Sequence, residues 1–192
     1  LMNRKKGIPL IDQHAKNGFY GGKFSGNYVA ETLKKPIDDL AKLFDKCIND
    51  KKFLDERDYL YENYVGRPTR FIKLQHLTDH LGGAQIYAKM VSDANGGAHK
   101  IYNAITHAML CKKAKKKYIC TDTGAGYNGK MFSMVAKKFG LRCKVFMGTR
   151  DIERQKPNCD ARRKNGDEIT HGTTGRKTVE EDYWPLNKHV QL

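Results

Sequence analysis

The chain has 192 residues and carries 36 lysines and arginines against 21 aspartates and glutamates, a formal net charge of +15. Its hydrophobic content of 39% is enough for one core of ordinary size. The chain contains neither a signal-peptide pattern nor an apolar run of about eighteen residues. We therefore expect a cytoplasmic protein without a membrane span. The five cysteines are widely spaced and form no CxxC pair, which argues against a disulfide framework and against a metal site.

The expected elements of the first part are an irregular segment over 1–30, helices over 31–49, 51–64 and 71–81, and a turn over 66–70. The first of these helices is the clearest, because apolar residues recur at helical spacing from Leu33 to Ile48. Pro36 is tolerated there only because it lies near the start of the helix.

From Gly82 the pattern changes to alternating elements. The expected strands cover 84–88, 117–121, 142–147 and 167–170, and the expected helices cover 99–115, 129–139 and 151–164. Strands that alternate with helices over short loops predict a parallel sheet with right-handed crossovers. The predicted fold class is therefore α/β, with an open, largely parallel sheet and flanking helices. We divide the chain into an N-terminal segment over 1–81, an α/β lobe over 82–182 and a tail over 183–192.

The densest positive charge is the run Lys112-Lys113 and Lys115-Lys116-Lys117. Clustered cations release counterions from phosphates, so nucleic-acid binding is one interpretation. The run also falls at the predicted end of a helix, where cations interact favourably with the helix dipole. We prefer this second interpretation, and charge alone predicts no nucleic-acid partner.

Two glycine-rich loops run from a predicted strand into a predicted helix, the position at which ligands bind in such sheets. The first loop, over 89–100, ends in Gly96-Gly97-Ala98-His99-Lys100. A lysine at a helix start lies against the positive end of the dipole, which disfavours its charged form, and the small residues before it leave room for a flat group. Such a lysine is suited to forming a Schiff base. By itself, however, this stretch favours the ordinary alternative, an exposed lysine after a glycine turn.

The second loop covers 121–129 and contains Thr123-Gly124-Ala125-Gly126. Its hydroxyl and unhindered N–H groups suit a carboxylate, and Asp122 at its entrance could act as an acid or a base. The alternative is a structural turn in which Asp122 caps the following helix. The glycine spacing matches neither a dinucleotide-binding loop nor a nucleotide-binding P-loop, so we exclude both.

Several motifs occur in one order along the chain: Gly66-Arg67-Pro68-Thr69, Leu81-Gly82-Gly83-Ala84, Gly97-Ala98-His99-Lys100, Thr123-Gly124-Ala125-Gly126 and Met147-Gly148. In this order and at these spacings they resemble the beta chain of tryptophan synthase, over roughly its N-terminal half. The resemblance implies a fold type II pyridoxal-phosphate enzyme with a small mobile lobe. It also implies a carbon–oxygen lyase that joins L-serine and indole into L-tryptophan, with an alpha chain and a second beta chain as partners.

The resemblance further implies roles for particular residues. Lys100 would hold pyridoxal 5'-phosphate covalently and move the proton at the substrate's alpha carbon, with His99 against the cofactor. Asp122 would assist departure of the serine hydroxyl and engage the indole nitrogen. The substrate carboxylate would bind to the loop formed by Thr123, Gly124, Ala125, Gly126, Tyr127 and Asn128.

The chain departs from the family at several points. The family has Glu at position 122, and Gln and His at positions 127 and 128, where this chain has Asp122, Tyr127 and Asn128. The family's Gly-Gly-Gly-Ser-Asn loop for the cofactor phosphate does not occur in this sequence. Two interpretations follow: a beta-chain homologue that is incomplete as given, or a non-catalytic, truncated remnant. We expect the 192 residues alone to give no stable absorbance band at about 410 nm with the cofactor.

Overall fold

The computed structural model describes residues 19–20, 24–26, 28–156, 159–160, 166 and 168–172. These residues divide into two compact units, one that ends at Asp38 and one that starts at Asp39. In this described part of the chain, no helix is both long and apolar enough to cross a membrane.

The first unit contains a short antiparallel pair and the start of a helix. Strands β1 (Phe19–Tyr20) and β2 (Phe24–Ser25) pair with each other, and helix α1 spans Glu31–Ile48. The helix expected over 31–49 is therefore confirmed. Most of the segment expected to be irregular lies outside the described residues.

The second predicted helix is also present, but its last turn is wider than an α-helix. Helix α2 spans Lys51–Leu60, and the Asp50 side chain caps it by accepting a hydrogen bond from the backbone N–H of Lys52 at 3.0 Å. A π-helical turn follows over Tyr61–Val65 and ends at Gly66, whose φ of +88° lies in the left-handed region.

The region from Phe71 to Lys89 differs from the prediction. A helix was expected over 71–81, but the first residues form strand β3 (Phe71–Lys73), and helix α3 starts later and spans Gln75–Leu81. The strand expected over 84–88 is β4 (Tyr87–Lys89), and it pairs antiparallel with β3 in a separate two-stranded sheet. It is therefore not a member of the parallel sheet. The pairing joins residues distant in sequence, so local spacing gave no sign of it.

The remaining elements follow the predicted alternation. They are helix α4 (Lys100–Lys113), strand β5 (Tyr118–Asp122), helix α5 (Tyr127–Phe139), strand β6 (Arg142–Gly148), helix α6 (Thr149–Arg154) and strand β7 (Glu168–Gly172). The helix expected over 151–164 starts two residues early and ends at Arg154, and residues 157–158 and 161–164 lie outside the described part of the chain.

Strands β5, β6 and β7 form a parallel sheet in that order, which confirms the α/β class. Helices α4 and α5 pack on each other and on β5, and α5 also contacts β6. The centre of this core consists of side chains with almost no exposed surface: Ile101, Ile105, Met131, Val135, Val145 and Phe146. Because α4 runs back to the start of β5 and α5 to the start of β6, both helices begin at the carboxyl edge of the sheet.

Candidate active site

Lys100 is the first residue of α4 and is half-buried. His99 precedes it at the helix cap and is exposed. Among the residues that the structure describes, neither side chain makes a hydrogen bond or an ion pair. The amine of Lys100 therefore lies at the carboxyl edge of the sheet without a hydrogen bond or ion pair to the described residues.

The loop before Lys100 is held by backbone and side-chain hydrogen bonds. The backbone N–H of Asn95 donates to the carbonyl of Val65 at 2.8 Å, and its Nδ2 donates to the carbonyl of Tyr64 at 3.1 Å. The N–H of Gly97 closes a tight turn by donating to the carbonyl of Ala94 at 2.7 Å. These bonds fix the loop on the end of the π-helical turn.

The two glycines of this loop serve different purposes. Both have positive φ, +96° at Gly96 and +86° at Gly97. A Cβ added at Gly96 would lie 2.8 Å from the Cε of Met131, whereas a Cβ at Gly97 would meet nothing within 4 Å. Only Gly97 therefore faces the open space that the sequence led us to expect before Lys100, and Gly96 makes room for the core.

The second loop follows directly from β5. Asp122 ends that strand and is half-buried, and its carboxylate has no hydrogen-bond or ion-pair partner in the described part of the chain. The N–H of the next residue, Thr123, donates to the carbonyl of Phe146 at 3.1 Å and so extends the parallel pairing by one step. The Oγ1 of Thr123 accepts a hydrogen bond from the N–H of Gly126 at 3.1 Å.

The hydroxyl of Thr123, which the sequence offered as one possible donor to a carboxylate, thus accepts a hydrogen bond within its own loop. Gly126 has a φ of +87° and is the cap of α5. Gly124 is half-buried and Ala125 is exposed. This conformation explains the glycine at 126, because other residues rarely adopt a positive φ.

Tyr127 and Asn128 begin α5, and their side chains are also engaged. The Nδ2 of Asn128 donates to the Oγ1 of Thr121 at 2.7 Å and to the carbonyl of Asp122 at 3.0 Å. The Tyr127 hydroxyl donates to the carbonyl of Gly96 at 3.2 Å. The backbone N–H groups of the first helical turn have no acceptor within the helix, which leaves them as donors for an anion.

The structure therefore brings the two predicted loops together, and Tyr127 is the residue that joins them. Neither this contact nor the anchoring role of Asn95 could be predicted from the sequence, because each partner lies 31 residues away along the chain. The local signal is residue type alone: Asn95 and Tyr127 are polar side chains that lie directly beside glycines.

The lysine run lies at the opposite edge of the sheet. Lys112 and Lys113 end α4, the rest of the run leads into β5, and Lys137 and Lys138 end α5 at the same edge. Cations at helix C-termini are favourable, as expected. The absence of a nucleic-acid partner stays a prediction.

The chain is similar to curated tryptophan synthase beta chains. It is 41% identical over 170 residues to the one from Cereibacter sphaeroides, a match that covers 88% of this chain and 41% of the relative. It is 40% identical over 175 residues to the one from Stenotrophomonas maltophilia, covering 90% of this chain and 43% of the relative. The chain thus spans about two-fifths of the length of these relatives. No family model matches it.

Solved structures share the fold at lower identity. A pyridoxal 5'-phosphate-dependent aspartate racemase superposes with a TM-score of 0.52 at 18% identity, over 79% of this chain and 42% of its own. Maize serine racemase superposes with a TM-score of 0.51 at 19% identity, over 74% of this chain and 41% of its own. The sequence matches show that the chain is a homologue of part of the tryptophan synthase beta chain, and the structural matches show that it shares the fold of fold type II pyridoxal-phosphate-dependent enzymes over part of its length.

Proposed function

We propose that this chain carries the lysine-bearing part of a site that joins L-serine and indole into L-tryptophan. The observation that supports the proposal is the meeting of two loops at the carboxyl edge of the sheet. One loop ends in Lys100 and the other starts at Asp122, and both side chains are free of partners among the described residues.

The described residues fit the lysine end of pyridoxal 5'-phosphate. That cofactor needs an amine to bond its carbonyl and room for a flat ring beside it. Lys100 offers an amine that makes no hydrogen bond or ion pair with the described residues, and the Cβ position of Gly97 faces open space. Lys100 would therefore hold the cofactor covalently, with His99 against it. When bound, the cofactor supplies an electron sink for the substrate's alpha carbon.

The chain's own residues would handle binding and protons. The Nζ of Lys100 would take and return the proton at the alpha carbon of serine. The carboxyl group of Asp122 would hand its proton to the departing serine hydroxyl, and the carboxylate that remains would then accept a hydrogen bond from the N–H of indole. The substrate carboxylate would bind the backbone N–H groups at the start of α5, since the side chains of Thr123 and Asn128 are already bonded within the loop.

Reductive trapping tests this proposal, because borohydride fixes even a transient bond between a lysine and the cofactor. The folded chain is mixed with less than one equivalent of pyridoxal 5'-phosphate, reduced and digested, and the modified lysines are mapped by mass spectrometry. We expect modification chiefly at Lys100, lost in Lys100→Ala and kept in the control Lys130→Ala. A label spread over the lysine run, as in the urea-unfolded chain, would contradict the proposal.

A non-catalytic remnant is the second candidate, and the observation that favours it is Asp122, whose side chain is one methylene shorter than the family's glutamate at this position. Formation of tryptophan from serine and indole separates the two. A rate that disappears in Lys100→Ala supports an enzyme, whereas selective capture at Lys100 without turnover supports the remnant. The alpha chain and a second beta chain are proposed partners on the strength of the resemblance alone.

A further inference from the structure

Tyr127 spans the gap between the two loops of the candidate site. Its backbone opens α5, and its hydroxyl reaches the carbonyl of Gly96 at 3.2 Å. The ring is half-buried, and burial raises the pKa of the phenol, so at neutral pH the group is a protonated donor.

The same segment is held on its other side. Asn95 is bonded to the carbonyls of Tyr64 and Val65, and Gly96 packs closely on Met131 of α5. Among the described residues, the hydrogen bond from the Tyr127 hydroxyl to the carbonyl of Gly96 is the polar contact between residues 96–99 and α5. The phenol is thus the polar contact that couples the lysine loop to the loop that starts at Asp122.

We infer that Tyr127 is a positioning residue, whose hydroxyl fixes the segment from Gly96 to Lys100 against the start of α5. The functional effect of this positioning rests on the proposed function. A fixed loop would keep the amine of Lys100 at a constant distance from the backbone N–H groups that would bind the substrate carboxylate. A displacement of about 1 Å between reacting groups can cost about a hundredfold in rate.

The resemblance sharpens the inference, because family members have a glutamine at this position. A glutamine also offers an N–H donor, whereas phenylalanine keeps the ring and loses the donor. The pair Tyr127→Gln and Tyr127→Phe therefore separates hydrogen bonding from packing. Tyr118→Phe is a matched control, since Tyr118 is an exposed tyrosine at the opposite end of β5.

The experiment measures amide hydrogen exchange of residues 95–100 and the trapping of cofactor at Lys100 in these variants. Loss of one hydrogen bond should make Tyr127→Phe exchange roughly fivefold faster in this segment while β5 and β6 are unchanged. The same variant should lose most of its selectivity for Lys100. We expect Tyr127→Gln to recover part of both properties and Tyr118→Phe to match the wild type.

Unchanged exchange and unchanged selectivity in Tyr127→Phe would overturn the inference. A uniform increase in exchange over the whole core would also overturn it, because the phenol would then act on global stability alone. If exchange rises only in 95–100 but the wild type shows no selectivity for Lys100, the coupling of the loops stands and the proposed function falls.

Discussion

Gly96→Ala and Gly97→Ala form a matched pair that tests how the lysine loop is built. Both residues have positive φ, so an alanine at either site strains the backbone by about 1–2 kcal/mol. They differ in surroundings, because the new Cβ at Gly96 would lie 2.8 Å from the Cε of Met131, and the one at Gly97 would meet nothing within 4 Å.

The extra cost at Gly96 depends on how far Met131 can move. Methionine is flexible, but Met131 has 0% of its surface exposed, so its sulfur and methyl group must move within a packed core. Overpacking of this kind costs about 1–3 kcal/mol, and the flexible thioether favours the lower half of that range. We therefore expect Gly96→Ala to destabilise the chain by roughly 1–2 kcal/mol more than Gly97→Ala.

Urea unfolding followed by circular dichroism measures this difference. With a slope of about 2 kcal/mol per molar urea, the midpoint of Gly96→Ala should lie roughly 0.5–1 M below that of Gly97→Ala. Met131→Ala supplies the second half of a double-mutant cycle, because in that background Gly96→Ala should cost only the backbone strain. Equal midpoints for the two alanine variants, or no coupling to Met131, would refute the close packing of Gly96 on α5.

Three further predictions concern single side chains. Burial raises the pKa of the Tyr127 phenol above 10.0 in the folded chain. The phenol's contribution to the free energy of unfolding is therefore complete below that pH and is lost as the pH rises through the pKa of the folded state. In urea titrations at alkaline pH, Tyr127→Phe should reduce this loss. The hydrogen bond from Arg70 lowers the pKa of the Asp93 carboxyl below 3.8 in the folded chain. The contribution of this carboxylate to the free energy of unfolding is therefore present above that pH and is lost as the pH falls through the pKa of the folded state. Asp93→Asn should remove that part of the acid transition. Asn128→Ala removes hydrogen bonds of 2.7 and 3.0 Å and should lower the free energy of unfolding by about 1–3 kcal/mol in the same assay.

Much of the α/β lobe could be predicted, because its elements are specified by neighbours in sequence. Helix α4 repeats apolar residues such as Ile101 and Ile105 at helical spacing, and β6 is a short, largely apolar run between a glycine turn and a second glycine. The strand β3 could not be predicted, since all three of its residues are exposed and it exists only by pairing with β4. An isolated exposed run of three residues carries no periodic signal.

The candidate site shows the same division. Lys100 and Asp122 were identified from glycine loops and from the family motifs, which depend on residue type and order alone. The loop from Thr123 to Asn128 stays a prediction as the site of the substrate carboxylate, and the side chains of Thr123 and Asn128 are each bonded within this loop. Such bonds depend on the exact turn conformation, which residue types restrict but do not specify.

The order of residues alone determined the family, the alternation of helices and strands, and the two loops that carry Lys100 and Asp122. Only the tertiary structure decided that β4 leaves the parallel sheet, that Gly96 is small because Met131 packs on it, and that Tyr127 joins the two loops. The physical reason is range along the chain: periodicity and turn chemistry act between residues a few positions apart. The decisive contacts join residues about 15 to 35 positions apart, and they form only when packing of the core brings those segments together.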